Sequence, residues 1–507
     1  MPAEPPLPRM RSCWPVCVLP VAGILIYIAS VLAADGFTID DAYISARYAK
    51  NLAFSGQLTW NVGEVPRTEG YTSPLWVVAS SLLFFVTDSS AFRPIQLMSA
   101  VFGALTLLMP CALARRLGLS RNAVAFPLLF LSLTLPFVVW SASGMENALY
   151  TFLVLLALYL VINEEDNGLR YDTPLVLFLV FLTRTEGLVF YGATVAVRCV
   201  KLILAPDAGR DQRKRFLVWN AIFLSCLFAY LVWKIYYYEA LLPLPVHVKK
   251  PAGYAGLAYV GSWLLYVAPF LLLALLGLRI GWNVKKAHMW AALGAYLMAI
   301  SISNPMMGHD YRLLVTAFPL IYVLAAWELD RLFRNGHAKR AQGMLLVGIV
   351  VFLCGTLIKH PGDYVDSLRR RAAASAQVLG QVHIPLGKWL DARREQAGIK
   401  RVALADAGAI AFHFEGEIID LYGLNDREIA HKGFSAQRVL ERSPDYIVLN
   451  SKSDTRFEGN DTACGKMSEE IFASDSFKKH YSFVKQFVSH EPFYSLWVYQ
   501  RLQGPER

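Results

Sequence analysis

Apolar blocks close to the roughly 20 residues a helix needs to cross the hydrocarbon of a bilayer recur through the first two thirds of this chain. About eleven of them read as spanning helices: residues 14–34, 94–114, 123–141, 148–162, 174–183, 188–204, 216–238, 259–279, 289–303, 313–329 and 344–358. The blocks at 148–162 and 174–183 are short for the task. A further block at 75–87 is too short to cross upright and reads as a re-entrant or interfacial helix. Composition agrees, since 55% of the 507 residues are hydrophobic, 17% are charged and the mean hydropathy is +0.38. A soluble chain of this length needs more charge to cover its surface. The expected fold class is an all-α polytopic membrane bundle.

The formal net charge of +10 does not point to nucleic acid as a partner, because much of the excess lies in short loops between apolar blocks. Placed there, Lys and Arg set topology. With 75–87 not spanning, one side collects Arg115, Arg116 and Arg121, then Arg210, Arg213, Lys214 and Arg215. It also takes Lys285 and Lys286, then Arg331, Arg334, Lys339 and Arg340. Were 75–87 to span, all of these clusters would turn outward. The N-terminus is therefore expected in the cytoplasm and residues 359–507 outside. The segment after Arg9 and Arg11 has no small-residue cleavage site and reads as a retained first helix. Six of the seven cysteines lie in or beside apolar blocks, and no disulfide or zinc spacing emerges.

The chain divides at 358/359, into a membrane domain whose first outside loop covers 35–92 and a soluble-like remainder. In the latter, 379–397 reads as an amphipathic helix. The segments 401–405, 410–414, 418–421 and 446–449 read as short strands, with a hairpin at 483–488 and 494–501. This is an extracytoplasmic α/β domain.

The outside loops carry isolated ionisable residues close to the membrane: Asp40, Asp41, Arg47, Glu64, Arg67, Glu69, Glu146, Arg184, Glu186, His247, Lys249, Lys250, His309, Asp310 and Arg312. Such groups are costly at the hydrocarbon edge and mark either a site or a buried pair. Ile39, Tyr43 and Ala46 share one face of a short amphipathic helix, and Asp41, Ser45 and Tyr48 share another. Two adjacent carboxylates at a helix start suit the helix dipole. They equally suit a general base, or a pair holding a divalent cation, beside a sugar hydroxyl.

The run Asp40-Asp41-Ala42-Tyr43-Ile44-Ser45-Ala46-Arg47-Tyr48-Ala49, then Leu58-Thr59-Trp60-Asn61 and Glu69-Gly70-Tyr71-Thr72, resembles the first periplasmic loop of a GT-C glycosyltransferase family. That family contains the terminal arabinofuranosyltransferase of mycobacterial cell walls and its Gram-negative relatives. Further segments resemble it in order: Ser143-Gly144-Met145-Glu146, Leu182 to Gly187, Leu242-Pro243 with Lys249, and Gly308-His309-Asp310-Tyr311-Arg312. In the C-terminal part, Ala405 to Ile410 and Ile419 to Leu424 are also similar. Thr185 stands where the family usually has Pro, and Met145 where it has Leu.

The resemblance implies a multi-pass protein of the bacterial inner membrane that moves a sugar, D-arabinofuranose first, from a polyprenyl-phosphate donor to a glycan or protein acceptor. Asp41 is then the expected base, with Asp40 as its partner toward a hydroxyl or a Mg, Mn or Ca ion. Lys249, His247, Arg184 and Arg312 are expected to meet the donor phosphate. Tyr43, Arg47, Glu69, Tyr71, Glu146, Glu186, His309 and Asp310 are expected to line the substrate cavity.

Bland roles fit the same residues one at a time. Arg184 and Glu186 suit a salt-bridged turn, Glu146 a helix start, Lys249 and Lys250 lipid headgroups, and His309 with Asp310 a structural pair. Two other functions share the pattern: a lipid transporter, which would need a polar route through the helix centres, and an envelope protein with a decayed site.

Overall fold

The computed structural model describes residues 14–204, 210–249, 253–279, 282–335 and 364–502. The eleventh expected span at 344–358, the domain boundary at 358/359, Lys250, Lys339 and Arg340 lie outside them.

The membrane part is helical throughout. Its helices are α1 (Trp14–Ala33), α2 (Asp40–Ser55), α3 (Pro74–Leu83), α4 (Arg93–Arg116), α5 (Arg121–Leu133), α6 (Leu135–Ala142), α7 (Asn147–Asn167) and α8 (Thr173–Thr183). Then follow α9 (Gly187–Leu204), α10 (Arg210–Tyr238), α11 (Leu244–Val248), α12 (Ala255–Tyr266), α13 (Ala268–Leu275), α14 (Val284–Ser301) and α15 (Ala317–Arg334). Among the described residues four helices are long and apolar enough to cross a membrane, and two bent pairs raise this to six.

Those bends fall inside stretches that read as continuous spans. The 123–141 block breaks by 64° between α5 and α6, and the 259–279 block by 81° after Tyr266. Each second half begins with a proline near its start, Pro136 and Pro269. Proline lacks the N–H an unbroken helix would use and disfavours helical backbone in the residue before it. Helix α3 has ten residues, about 15 Å at 1.5 Å per residue, or half the hydrocarbon thickness. Leu82, Phe85 and Val86 are exposed at its far end.

Charge is sorted to the two ends of the bundle. At one end Arg116 pairs with Asp166, Lys201 with Glu165, Lys285 with Asp166, Lys286 with Glu328 and Arg334 with Asp330. At the other end sit Asp41, Glu146, Arg184 and Arg312. The described helix centres between them carry no Asp, Glu, Lys or Arg, although hydroxyls such as that of Thr106 are buried there.

The C-terminal domain opens with α16 (Tyr364–Val378), a π-helical turn at Leu379–His383 and α17 (Ile384–Ala397). Five strands form one sheet: β1 (Arg401–Leu404), β2 (Glu417–Asp420), β3 (Tyr446–Ser451), β4 (Tyr481–His490) and β5 (Phe493–Arg501). Their order is β2-β1-β3-β5-β4, parallel on the first three and antiparallel beyond. The expected strand at 410–414 is instead a short helix, Ala409–His413. Ala409, Ile410, Ala411 and Phe412 are all buried, packed between α17 and α2, so the run carries no alternation that would separate strand from helix.

Candidate active site

Helix α2 begins with Asp40 and Asp41 in its first turn, where acids meet the positive end of the dipole. It stops at Gly56, whose φ of 68° gives the left-handed cap that only glycine adopts freely. Ala42, Tyr43, Ala46, Arg47, Tyr48 and Ala49 are buried. Neighbours on a helix point about 100° apart, and the two acids accordingly part company.

Asp41 faces the membrane domain, where the Arg312 guanidinium donates to its Oδ2 at 3.1 Å. Arg312 lies over the Trp140 ring at 5.4 Å, and its carbonyl accepts from Asn147 Nδ2 at 2.9 Å. The turn that delivers it is unusual, because Asp310 (φ 48°) and Tyr311 (φ 54°) are both left-handed. For residues with side chains that conformation costs about 1–3 kcal/mol each and must be held from outside. Trp140 Nε1 donates to the Asp310 carbonyl at 3.2 Å, the Tyr311 hydroxyl donates to Ser262 at 3.1 Å, and Arg371 pairs with the Asp310 carboxylate.

Beside this pair, Arg184 donates to Glu146 at 2.7 Å and to Glu186 at 3.1 Å. Burial works against the guanidinium's charge, but the two acids outweigh it and raise its pKa. For Glu186 burial pushes up and Arg184 pulls further down, so the carboxyl stays below its ordinary value. Lys249, just past α11, feels Asp41, Arg312, Arg184 and Glu146 together. Burial, aided by the two arginines against Asp41, lowers its pKa. The Tyr422 hydroxyl, donating to Met306 Sδ at 3.0 Å, lies within reach of the Asp41 field. Six expected site residues therefore share one neighbourhood: Asp41, Arg312, Arg184, Lys249, Glu146 and Glu186.

Others stand elsewhere. Arg47 gives its guanidinium to the carbonyls of Trp60 (2.9 Å), Ala411, Phe414 (2.7 Å) and Gly416 (2.9 Å), joining loop to C-terminal domain. Tyr43 stacks on Phe92 at 4.0 Å. Glu69 pairs with Lys234 at 2.8 Å, and Tyr71 shares a hydrogen bond with Tyr238 at 2.8 Å. His247 lies against His431 of the C-terminal domain, with ring centroids 4.6 Å apart. His309 is exposed, and Asp310 pairs with Arg371 as described. All of these except His309 engage packing partners in this structure.

Asp40 turns to the C-terminal domain. Its Oδ1 accepts from His383 Nδ1 at 3.0 Å and Ala409 N at 2.8 Å, and its Oδ2 from Gly408 N at 2.8 Å. Gly408 must lack a side chain here, since a Cβ would collide with the Asp40 backbone oxygen and carboxylate. The two carboxylates thus do not converge on one point. Among the described residues no three His, Cys, Asp or Glu side chains are grouped to hold a metal ion. The donor set does not fit the divalent cation expected for the pair. Sequence reasoning missed His383 and Arg371; the one legible signal was Gly408 between two alanines, ahead of an apolar run.

Burial raises the Asp40 pKa, but His383 and the two N–H groups outweigh it and the net shift is downward. Burial likewise lowers His383, and Asp40 outweighs it, so the imidazole is raised. The depressed acid contributes stability above its ordinary 3.8, lost as pH falls through its folded value. The raised imidazole contributes below its ordinary 6.5, lost as pH rises through its folded value. Domain docking is therefore expected to be tightest between those two figures and to loosen from pH 6.5 upward. Amide protection at residues 408 and 409, taken relative to the intrinsic exchange rate at each pH across pH 5–9, checks this; flat parent protection, or the same slope in His383→Ala, would count against it.

The architecture is a GT-C fold: apolar helices crowned at one end by charged loops and a C-terminal sheet domain. The chain is similar to ArnT from Cupriavidus metallidurans in the apo state, with TM-score 0.55, 12% identity and coverage of 95% of this chain and 97% of that one. For ArnT bound to undecaprenyl phosphate the figures are 0.50, 14%, 92% and 88%. The oligosaccharyltransferase AglB from Archaeoglobus fulgidus, in complex with an inhibitory peptide and a dolichol-phosphate, gives 0.51, 13%, 94% and 74%. Residues 371–500 match a domain of unknown function, DUF8728. No curated protein matches the chain.

Proposed function

We propose that the chain is a membrane glycosyltransferase that takes its sugar from a polyprenyl-phosphate donor and passes it to a glycan or protein acceptor. D-arabinofuranose is the sugar favoured by the loop resemblance. One observation carries the reading: Lys249, Arg184 and Arg312, from three separate turns, gather beside an acid able to take a proton.

As the glycosidic bond breaks, negative charge grows on the departing lipid phosphate. Fixed cations at a partly dry site stabilise that charge without reorganising. Arg312, Arg184 and Lys249 supply those cations, and an approaching phosphate works against the burial that lowers the Lys249 pKa. Asp41 accepts the proton of the attacking acceptor hydroxyl, whose oxygen bonds to the anomeric carbon. Glu146 and Glu186 hold Arg184 in place. A lipid-linked donor also confines the reaction to the bilayer edge, where these groups cluster. The site then faces the periplasm, with the basic end of the bundle in the cytoplasm of an inner-membrane protein. The transporter reading is disfavoured by the described helix centres, which carry no Asp, Glu, Lys or Arg.

The test is transfer from synthetic polyprenyl-phosphoryl arabinose and a panel of other lipid-linked sugars in reconstituted vesicles. Lys249→Ala is expected to lose about 2–4 kcal/mol of transition-state stabilisation with folded yield kept. Parent-like rates in that variant would remove Lys249 from the phosphate site, and no transfer from any donor would overturn the function.

A further inference from the structure

The domain of unknown function reaches the site through two acids, and each is a close chain neighbour of the Asp41–Arg312 pair. Asp40, adjacent to Asp41, is held by His383, Gly408 and Ala409. Asp310, two residues before Arg312, is held by Arg371. The same helix that carries Arg371 places Ser375 one turn later on the same face, where its hydroxyl donates to the Thr38 carbonyl. A π-helical turn at Leu379–His383 then interrupts the helical path, and His383 ends it facing Asp40.

Both gripped segments need outside support. Helix α2 starts at Ile39 with no side-chain cap, so its first turn, which contains Asp41, would fray if Asp40 were released. The left-handed residues Asp310 and Tyr311 would relax if Asp310 were released, and the backbone of Arg312 would turn with them.

We propose that the C-terminal domain is the positioning clamp of the site: Arg371 sets Arg312 through Asp310, and His383 sets Asp41 through Asp40. The Arg371 arm rests on the reading of Arg312 as a lipid-phosphate ligand; the His383 arm does not. Arg371 and His383 are positioning residues, since the contacts through which they act run to Asp310 and Asp40.

The experiment uses the full chain in nanodiscs, with undecaprenyl phosphate as the probe. Arg371→Ala and Arg312→Ala are each expected to weaken binding about tenfold, and the double variant to be no weaker than Arg312→Ala alone, because one acts through the other. Arg371→Lys should return to within about threefold of the parent. Should Arg371→Ala fail to fold, Asp310→Asn cuts the same link. In parallel, amide exchange over residues 40–44 should quicken in His383→Ala and Asp40→Asn but not in Arg371→Ala. A general loss of structure would move both readouts in every variant. Parent-like binding by Arg371→Ala, or losses that multiply in the double variant, would overturn the Arg371 arm, and unchanged exchange in His383→Ala the other. A parent that does not bind undecaprenyl phosphate would overturn the lipid-phosphate reading and the Arg371 arm with it, leaving the exchange result to decide the His383 arm.

Discussion

Asp41→Asn is expected to fold, insert and bind polyprenyl phosphate, yet to transfer sugar about 10²–10⁴-fold more slowly, the usual worth of a general base. The substitution preserves shape, and the amide oxygen still accepts from Arg312. What it removes is the basic lone pair and one negative charge. That charge partly balances Arg312 and Lys249, so donor binding should hold or tighten while turnover falls. This split separates a base from a binding residue. Single-turnover transfer, measured beside undecaprenyl phosphate affinity on the same preparation, reads it directly. Transfer at the parent rate would move the base elsewhere, with Glu146 the next acid in the cluster.

Arg47→Ala carries the largest expected cost to stability. The residue is 5% exposed, and its guanidinium satisfies four carbonyls from two parts of the chain. Hydrogen bonds from a charged donor are worth about 1.5–3 kcal/mol each, and the orphaned acceptors are then left dry. At least about 4 kcal/mol of domain docking should be lost, even after allowing for non-additivity. Proteolysis is expected to release a folded C-terminal domain, and amides at 411–416 to exchange freely. Arg47→Lys should not restore docking, because one ammonium cannot span a fan of acceptors. Intact docking in Arg47→Ala, with only substrate affinity reduced, would return this residue to the cavity lining.

The helices were legible because a bilayer demands length and apolarity, which single residues display without regard to partners. The two breaks were not read, although Pro136 and Pro269 stood in plain view inside apolar runs. The cluster of Asp41, Arg184, Lys249 and Arg312 was legible as isolated charges at turns on one side of the bundle. Asp41 was also legible as the acid on the polar face; that Asp40 turns away was not, because this depends on His383 and Gly408, more than 340 positions away. Separation along the chain also hid the roles of Arg47, whose acceptors in the C-terminal domain lie 364 to 369 positions on, and of Asp310, whose partner Arg371 lies 61 positions on. The helix at Ala409–His413 was misread for a related reason, since burial on all sides erases the pattern that distinguishes strand from helix.

The sorting of ionisable side chains to the two ends of the bundle has an energetic consequence. A voltage or a proton gradient does work on a protein only by moving charge through the field, at about 2.3 kcal/mol per elementary charge per 100 mV. Among the described residues, the helix centres carry no Asp, Glu, Lys or Arg and so offer the field no such lever. On the proposed function, the drive for transfer then resides in the donor itself, in the bond between sugar and lipid phosphate, and the released lipid is recharged before another turnover. Collapsing the membrane potential of sealed vesicles should therefore leave the rate of transfer where it was.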